Sequence, residues 1–240
     1  MKTIKHVMTV TILLASIFVN SSFTGDKPAP VKLELTFVDH LTAGLIEQDV
    51  FVEKRPGSGE VFRVLISEKE QYLDSEIYTT KDPLHHDPFD PDNAGPYQKG
   101  NSLDMTLRDW LSASGTASYT CEEGWGVIEA EFKNLVPNAT YTMWHFFMPA
   151  PPTVPFTGTL DVPLGDRKGV QSVFKTDNNG NATLDVRFEH CLQMTGDQLM
   201  GGLAVALHTD GKTYGSAPGA FGRDTHVHLF AMLPTEDDIN

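Results

Sequence analysis

The chain is short of basic residues, of cysteine and of long apolar runs. Lys and Arg number 18 against 32 Asp and Glu, a formal net charge of -14. A phosphate backbone is bound through clustered Lys and Arg, so this deficit argues against nucleic acid as a partner. It argues equally against an anionic membrane surface. Past the first twenty residues no stretch holds 18 uninterrupted apolar residues, so no membrane span is expected in the mature chain. Catalytic signatures are missing as well. There is no Gly-x-Ser-x-Gly elbow, no His-Glu-x-x-His and no Gly-rich phosphate loop before a helix. Thirty-two acids always contain some carboxylate pair, so a hydrolase with unassigned acids stays open. The sequence leaves the cofactor unknown. What is present, 40% hydrophobic and 10% aromatic residues, excludes a disordered chain.

The N-terminus carries an address. Lys2 and Lys5 precede a charge-free run over residues 7–19, and small or tolerated residues follow at 19–21. This is a secretory signal pattern with cleavage after Ser21, over a run too short to span a bilayer. An N-terminal membrane anchor is the second reading. Residues 22–30 are small and Pro-rich and read as a tether. A secreted or periplasmic location follows, and with it an oxidising compartment. Cys121 and Cys191, the only cysteines, are then expected to pair. A buried thiol and a metal thiolate are the alternatives.

The pattern along the chain is β. Val31, Leu33, Leu35 and Phe37 alternate with polar residues. Turn signals at 55–59, 122–124, 136–138, 177–181 and 209–212 separate short apolar stretches. Residues 81–100 read as one long Asp- and Pro-rich loop. The spacing of Leu103, Leu107, Trp110 and Leu111 predicts a helix capped by Asn101 or Ser102 and ending before Gly115. The expectation is a mainly β fold, an antiparallel β-sandwich of jelly-roll or immunoglobulin-like type with one short helix and long loops. The sandwich core is placed at 115–234. Residues 31–114 add a β segment with the loop and helix, and 235–240 form an acidic tail. A separate small N-terminal domain is the alternative.

Strand alternation suggests one metal constellation. His226, His228, Phe230 and Met232 would share a face, as would Tyr141, Met143, His145 and Phe147. If the two strands are neighbours, His145, His226, His228 and Met143 converge on a set suited to Zn or Cu. The alternative is amphipathic side chains bonded to their neighbours. In the Asp- and Pro-rich loop, Asp87, Asp90, Asp92 and Asn93 are candidate Ca²⁺ ligands, against a plain series of Asp-Pro turns. Long loops on a rigid sandwich are usual binding places. Tyr97, Phe156, Tyr214 and Phe221 lie in or beside them and are candidate stacking residues. A cell-envelope glycan or protein is the expected partner. The stretch 149–163 holds only Asp161 as a charge, which makes it a better place to look than the net charge.

Three phrases occur together: Leu107-Arg108-Asp109-Trp110-Leu111 before Tyr119-Thr120-Cys121, Leu135-Val136-Pro137-Asn138 before Tyr141-Thr142-Met143-Trp144, and His208-Thr209-Asp210-Gly211-Lys212-Thr213-Tyr214-Gly215. In these the chain resembles an uncharacterised group of exported prokaryotic proteins. The resemblance covers roughly residues 82–234. It implies a β-rich secreted domain and transfers no catalytic residue. Three functional readings remain. The first is a non-enzymatic secreted or periplasmic binder acting through its loops. The second is an envelope Cu or Zn protein. The third is the hydrolase noted above.

Overall fold

The computed structural model describes residues 30–239 except 46, 86, 88 and 89. The expected signal peptide and nearly all of the tether lie outside the described residues. The strands are β1 (Val31–Phe37), β2 (Glu47–Val52), β3 (Glu60–Leu65), β4 (Glu76–Thr80), β5 (Tyr97–Thr106), β6 (Ser114–Glu122) and β7 (Trp125–Lys133). They continue with β8 (Thr140–Pro149), β9 (Leu160–Pro163), β10 (Val173–Lys175), β11 (Ala182–Glu189), β12 (Leu199–His208) and β13 (Thr225–Met232). Among the described residues, the short helices α1 (Lys69–Tyr72) and α2 (Leu107–Leu111) lie between strands and α3 (Glu236–Ile239) follows the last of them. The fold is mainly β and antiparallel, as the turn spacing predicts.

One sheet runs β1-β6-β7-β11. Its strands alternate strictly. Ile128, Ala130 and Phe132 of β7 are buried, whereas Glu129, Glu131 and Lys133 are exposed. Leu184, Val186 and Phe188 of β11 point the same way. This is the signature of a sheet with one wet face. Gly180 closes the turn into β11 at φ +77, where a Cβ would run into the Leu135 carbonyl. The second sheet runs β10-β8-β12-β13, with β9 added on β8. Here β8 and β12 are buried on both faces. Tyr141, Met143, Leu203, Val205 and Leu207 fill the core between the sheets. Trp144, Phe146, Ala204 and Ala206 form a separate apolar cluster on the outer side with Phe230. Apolar atoms on both faces require cover on both faces.

Strands β2-β3-β5-β4 close a small barrel. Val50, Val52, Val64 and Ile77 of this barrel join the same buried cluster as the sandwich core. The junction is polar but tied. Asp49 and Arg63, both fully buried, stand 3.7 Å apart. Asp49 also accepts from the Val227 amide at 2.8 Å, and its carbonyl accepts from His226 Nδ1 at 2.7 Å. The barrel is thereby clamped to β13. Cys121 and Cys191 pair as a disulfide with their Cα atoms 5.6 Å apart.

Two expectations are corrected. The helix is shorter than its pattern suggests, because β5 extends through Leu103 and Met105 to Thr106. Pairing with β4 takes those residues, and Thr106 and Asp109 form the capping box that starts α2. The Asp- and Pro-rich loop ends earlier than expected, since β5 begins at Tyr97 and Pro91–Ala94 forms a 3₁₀ turn.

Candidate functional site

The histidines come first. Strands β8 and β13 are not neighbours, because β12 lies between them. A bulge also interrupts the alternation of β13. Val205 pairs with Leu229, but Ala206 pairs with Val227. The extra residue is His228. His226 and His228 therefore stay on the inner side with Leu229 and Ala231, while Val227, Phe230 and Met232 turn outward. The single shared face expected for His226, His228, Phe230 and Met232 does not exist.

Both nitrogens of His228 are engaged. Nε2 donates to the Trp110 carbonyl at 2.9 Å, and Nδ1 accepts from the Tyr141 hydroxyl at 2.9 Å. The Val136 amide in turn donates to that hydroxyl at 3.0 Å. The ring stacks on Trp110 with centroids 3.5 Å apart. Burial pulls the His228 pKa down to about 3 and raises that of Tyr141. Burial lowers His226 too. His145 sits farther along β8, level with Leu203, and donates to the Gln193 carbonyl at 3.3 Å. Its pKa falls to about 4, again through burial. Met143 is core. The four residues are not brought together.

In the Asp- and Pro-rich loop, Asp90 Oδ1 caps the Asp92 amide at 2.9 Å. The Asn93 side chain donates to the His85 carbonyl at 3.1 Å and accepts from the Tyr97 hydroxyl at 2.7 Å. Asp87 is buried. These bonds are those of a stapled turn. Among the described residues, no group of three or more His, Cys, Asp or Glu is placed to hold a metal ion. One Ser-x-x-Lys spacing occurs, Ser172 to Lys175. Ser172 is fully buried and Lys175 exposed, so it forms no nucleophile–base pair.

The outer face of the second sheet carries the site. A cavity of about 590 Å³ lies over it. Small residues on the middle strand, Ala204 and Ala206, make its floor. Trp144, Phe146 and Met148 of β8 rise on one side, and Val227, Phe230 and Met232 of β13 on the other. Met200 extends the floor, opposite Met148 in register. A Cβ at Gly202 would run into the Phe146 ring, so glycine lets that ring lie over β12. Thr142 fixes the wall: its hydroxyl accepts from the Trp144 indole at 2.6 Å and bonds His208 Nε2 at 2.8 Å. Burial lowers the His208 pKa.

Loops from distant parts of the chain form the roof. His40, Ala43 and Leu45 come from the loop after β1, Leu84 and His85 from the barrel side, Pro152 to Asp161 from the proline-rich stretch, and Pro218 and Phe221 from the loop before β13. They are tied together. The Leu84 amide donates to the Phe221 carbonyl at 3.0 Å, the Thr80 amide to the Gly222 carbonyl at 2.7 Å, and His85 Nε2 to the Phe156 carbonyl at 3.3 Å. Met232 lines the cavity yet is 38% exposed, so the space reaches solvent beside it.

The four loop aromatics divide. Phe156 and Phe221 line the cavity. Tyr97 instead packs edge-on against Phe51 at 5.7 Å, and Tyr214 donates to Asp210 at 2.7 Å beside His208. The wall residues Trp144, Phe146 and Phe230 escape a reading that takes the opposite face of β8 as the interesting one. For Trp144 and Phe146 the signal is the nearly continuous apolar run of β8, which exceeds what one buried face needs. Compared with known proteins, the chain matches no family, no curated protein and no solved structure.

Proposed function

We propose that this chain is an exported, non-enzymatic binding protein that holds an apolar small molecule against the outer face of its second sheet. The observation that carries the reading is the roof. Four loop segments, at 40–45, 84–85, 152–161 and 218–221, stand over an apolar sheet face and enclose about 590 Å³. That volume falls within the usual range for a small-molecule pocket, which is lined mainly by apolar and aromatic groups with a few polar ones. The polar groups present also hold the loops, as His85 does by bonding Phe156 across two segments and Thr159 by bonding Asp161 within one. Export is supported by the leader pattern and by the cysteine pair. Walls of this kind suit a hydrocarbon or ring system better than a glycan, which needs many hydrogen-bond partners.

Titration with N-phenyl-1-naphthylamine, an uncharged apolar dye, tests the proposal. The full chain is expected to bind it with a gain in dye fluorescence. Ala204→Leu places three more carbons on the floor between Trp144 and Phe230 and is expected to weaken binding at least tenfold. Equal dye binding by the parent and Ala204→Leu, with both folded, would sink the proposal.

A further inference from the structure

The first sheet ends on a strand with an open edge. We infer that two copies of this chain join β11 to β11, antiparallel across a two-fold axis at Val186, into one continuous sheet. The inference is independent of the cavity, which lies on the second sheet. Strand β11 is eight residues long and pairs only with β7 among the described residues. Its register against β7 runs from end to end without a shift. Every second residue of such a strand turns its N–H and C=O away from the one neighbour. Among the described residues no other group bonds the backbone of 182–189. A row of open backbone groups is a template for another strand. The other sheet edges are blunted. Strands β9 and β10 have four and three residues, β13 is bulged and bridged by Val38, and β1 carries Lys32. In β11 there is no Pro, Gly, Lys or bulge.

Charge chooses the partner. Thr183, Asp185, Arg187 and Glu189 stand exposed on the wet face of β11. Within its own sheet Asp185 is opposite Glu129, a like charge, and Arg187 is opposite Val127. The Arg187 guanidinium lies over the Trp125 ring at 4.8 Å, and neither Arg187 nor Asp185 has an ion-pair partner among the described residues. A guanidinium carries five N–H donors, so the ring contact leaves donors for a carboxylate. An axis normal to the sheet keeps wet face beside wet face and must pass through a residue. Centred on Asp185 or on Arg187, it sets that charge against itself. Centred on Phe188, it pairs Arg187 with Glu189 but overlaps only residues 187–189 of the strand. Centred on Val186, it keeps 183–189 paired and sets Asp185 of each copy against Arg187 of the other. Leu184 then meets Phe188 of the second copy on the buried side. That register alone gives both Asp185 and Arg187 an opposite charge, and it offsets the repulsion from Glu129. The interface is the same patch on both copies, as a two-fold requires.

The test is the solution mass of protein expressed from the full sequence, by sedimentation velocity at pH 7 from about 1 to 200 μM. The parent is expected to pass from monomer to dimer across that range. Asp185→Arg and Arg187→Asp, each at an exposed position, set like charges opposite each other and are expected to weaken dimerisation about tenfold or more. Combined, the two changes restore opposite charges in the same register, so the double variant is expected to return to within about threefold of the parent. Backbone amides of 183–189 in the parent should exchange more slowly at the high concentration than at the low one. A parent that stays monomeric overturns the inference. So does a dimer whose amides at 183–189 ignore concentration, or one unmoved by either single reversal. A double variant no better than the singles, with circular dichroism unchanged, also overturns it. None of these substitutions touches a residue that lines the cavity, so all the chains should bind N-phenyl-1-naphthylamine alike. Loss of the dimer and loss of dye binding therefore report on separate proposals.

Discussion

His228 makes the stability of this protein depend on pH in a calculable way. The neutral imidazole is the form the site is built for. Nε2 must carry the proton given to Trp110, and Nδ1 must be bare to accept from Tyr141. Protonating Nδ1 would set two donors against each other in a fully buried place. Burial accordingly lowers the pKa from 6.5 to about 3. As pH falls the unfolded chain takes up this proton first, so the contribution is complete above pH 6.5 and drains away toward pH 3. Each pKa unit corresponds to about 1.4 kcal/mol, so the whole window amounts to about 5 kcal/mol. Between pH 7 and pH 5, His228 alone should cost about 2 kcal/mol. His226 and His145 shift in the same direction and steepen the slope. His228→Phe isolates the effect. It keeps a ring stacked on Trp110 but strands a buried carbonyl and a buried hydroxyl, at a cost of about 2 to 5 kcal/mol at pH 7. Urea unfolding of both chains at pH 7 and pH 5, with the disulfide intact, gives the double difference. The variant should lose about 2 kcal/mol less than the parent over that interval. Equal losses would refute the assignment of a depressed, buried imidazole.

Replacing Cys121 and Cys191 together by serine should destabilise the chain by about 4 kcal/mol, from the chain entropy of a 70-residue closure; urea midpoints with and without reductant check this, and insensitivity to reductant would contradict it. Arg63→Met leaves Asp49 charged and buried at the barrel–sandwich junction, so a loss of about 3 to 5 kcal/mol is expected. A melting temperature within a degree of the parent would show that the pair is dispensable. Mild peroxide should turn the rim methionines into polar sulfoxides and weaken dye binding. The triple variant Met148→Leu, Met200→Leu, Met232→Leu should bind dye before treatment and keep it afterwards, and a parent whose affinity survives oxidation of Met232 would count against a rim role for that side chain.

Much of the first sheet is legible in the residues. The alternation of β7 and β11 is a local signal and is physically sufficient; the Asn-Gly turn marks the chain reversal before β11 but not a hairpin, because β10 pairs with β8 in the second sheet and β11 with β7 in the first. The barrel is not legible, because its closure depends on pairings such as Phe51 with Tyr78 and Val61 with Tyr97, which no local pattern encodes. The start of α2 was open to misreading for a simple reason. Asn101, Ser102 and Thr106 all suit an N-cap, and only strand pairing decides among them. The bulge in β13 left no mark either. Residues 225–232 contain neither Gly nor Pro, so a period-two alternation continues through His228 unbroken and places Phe230 and Met232 with the histidines.

That single extra residue links the fold to the site. Without it, Phe230 and Met232 would follow His226 and His228 into the core, and the outer face would lose one wall. With it, the imidazoles satisfy the Trp110 carbonyl, the Tyr141 hydroxyl and the Asp49 carbonyl within the interior. The apolar side chains beyond them turn out over Ala204 and Gly202. The buried histidines and the apolar cavity are thus two results of one backbone irregularity. The histidines hold β13 to the helix and to the barrel. The strand so held turns Val227, Phe230 and Met232 to the cavity. The imidazoles of His226 and His228 are thus spent on structure, while the cavity on the other face is lined mainly by apolar side chains, with Asp161 its one carboxylate among the described residues.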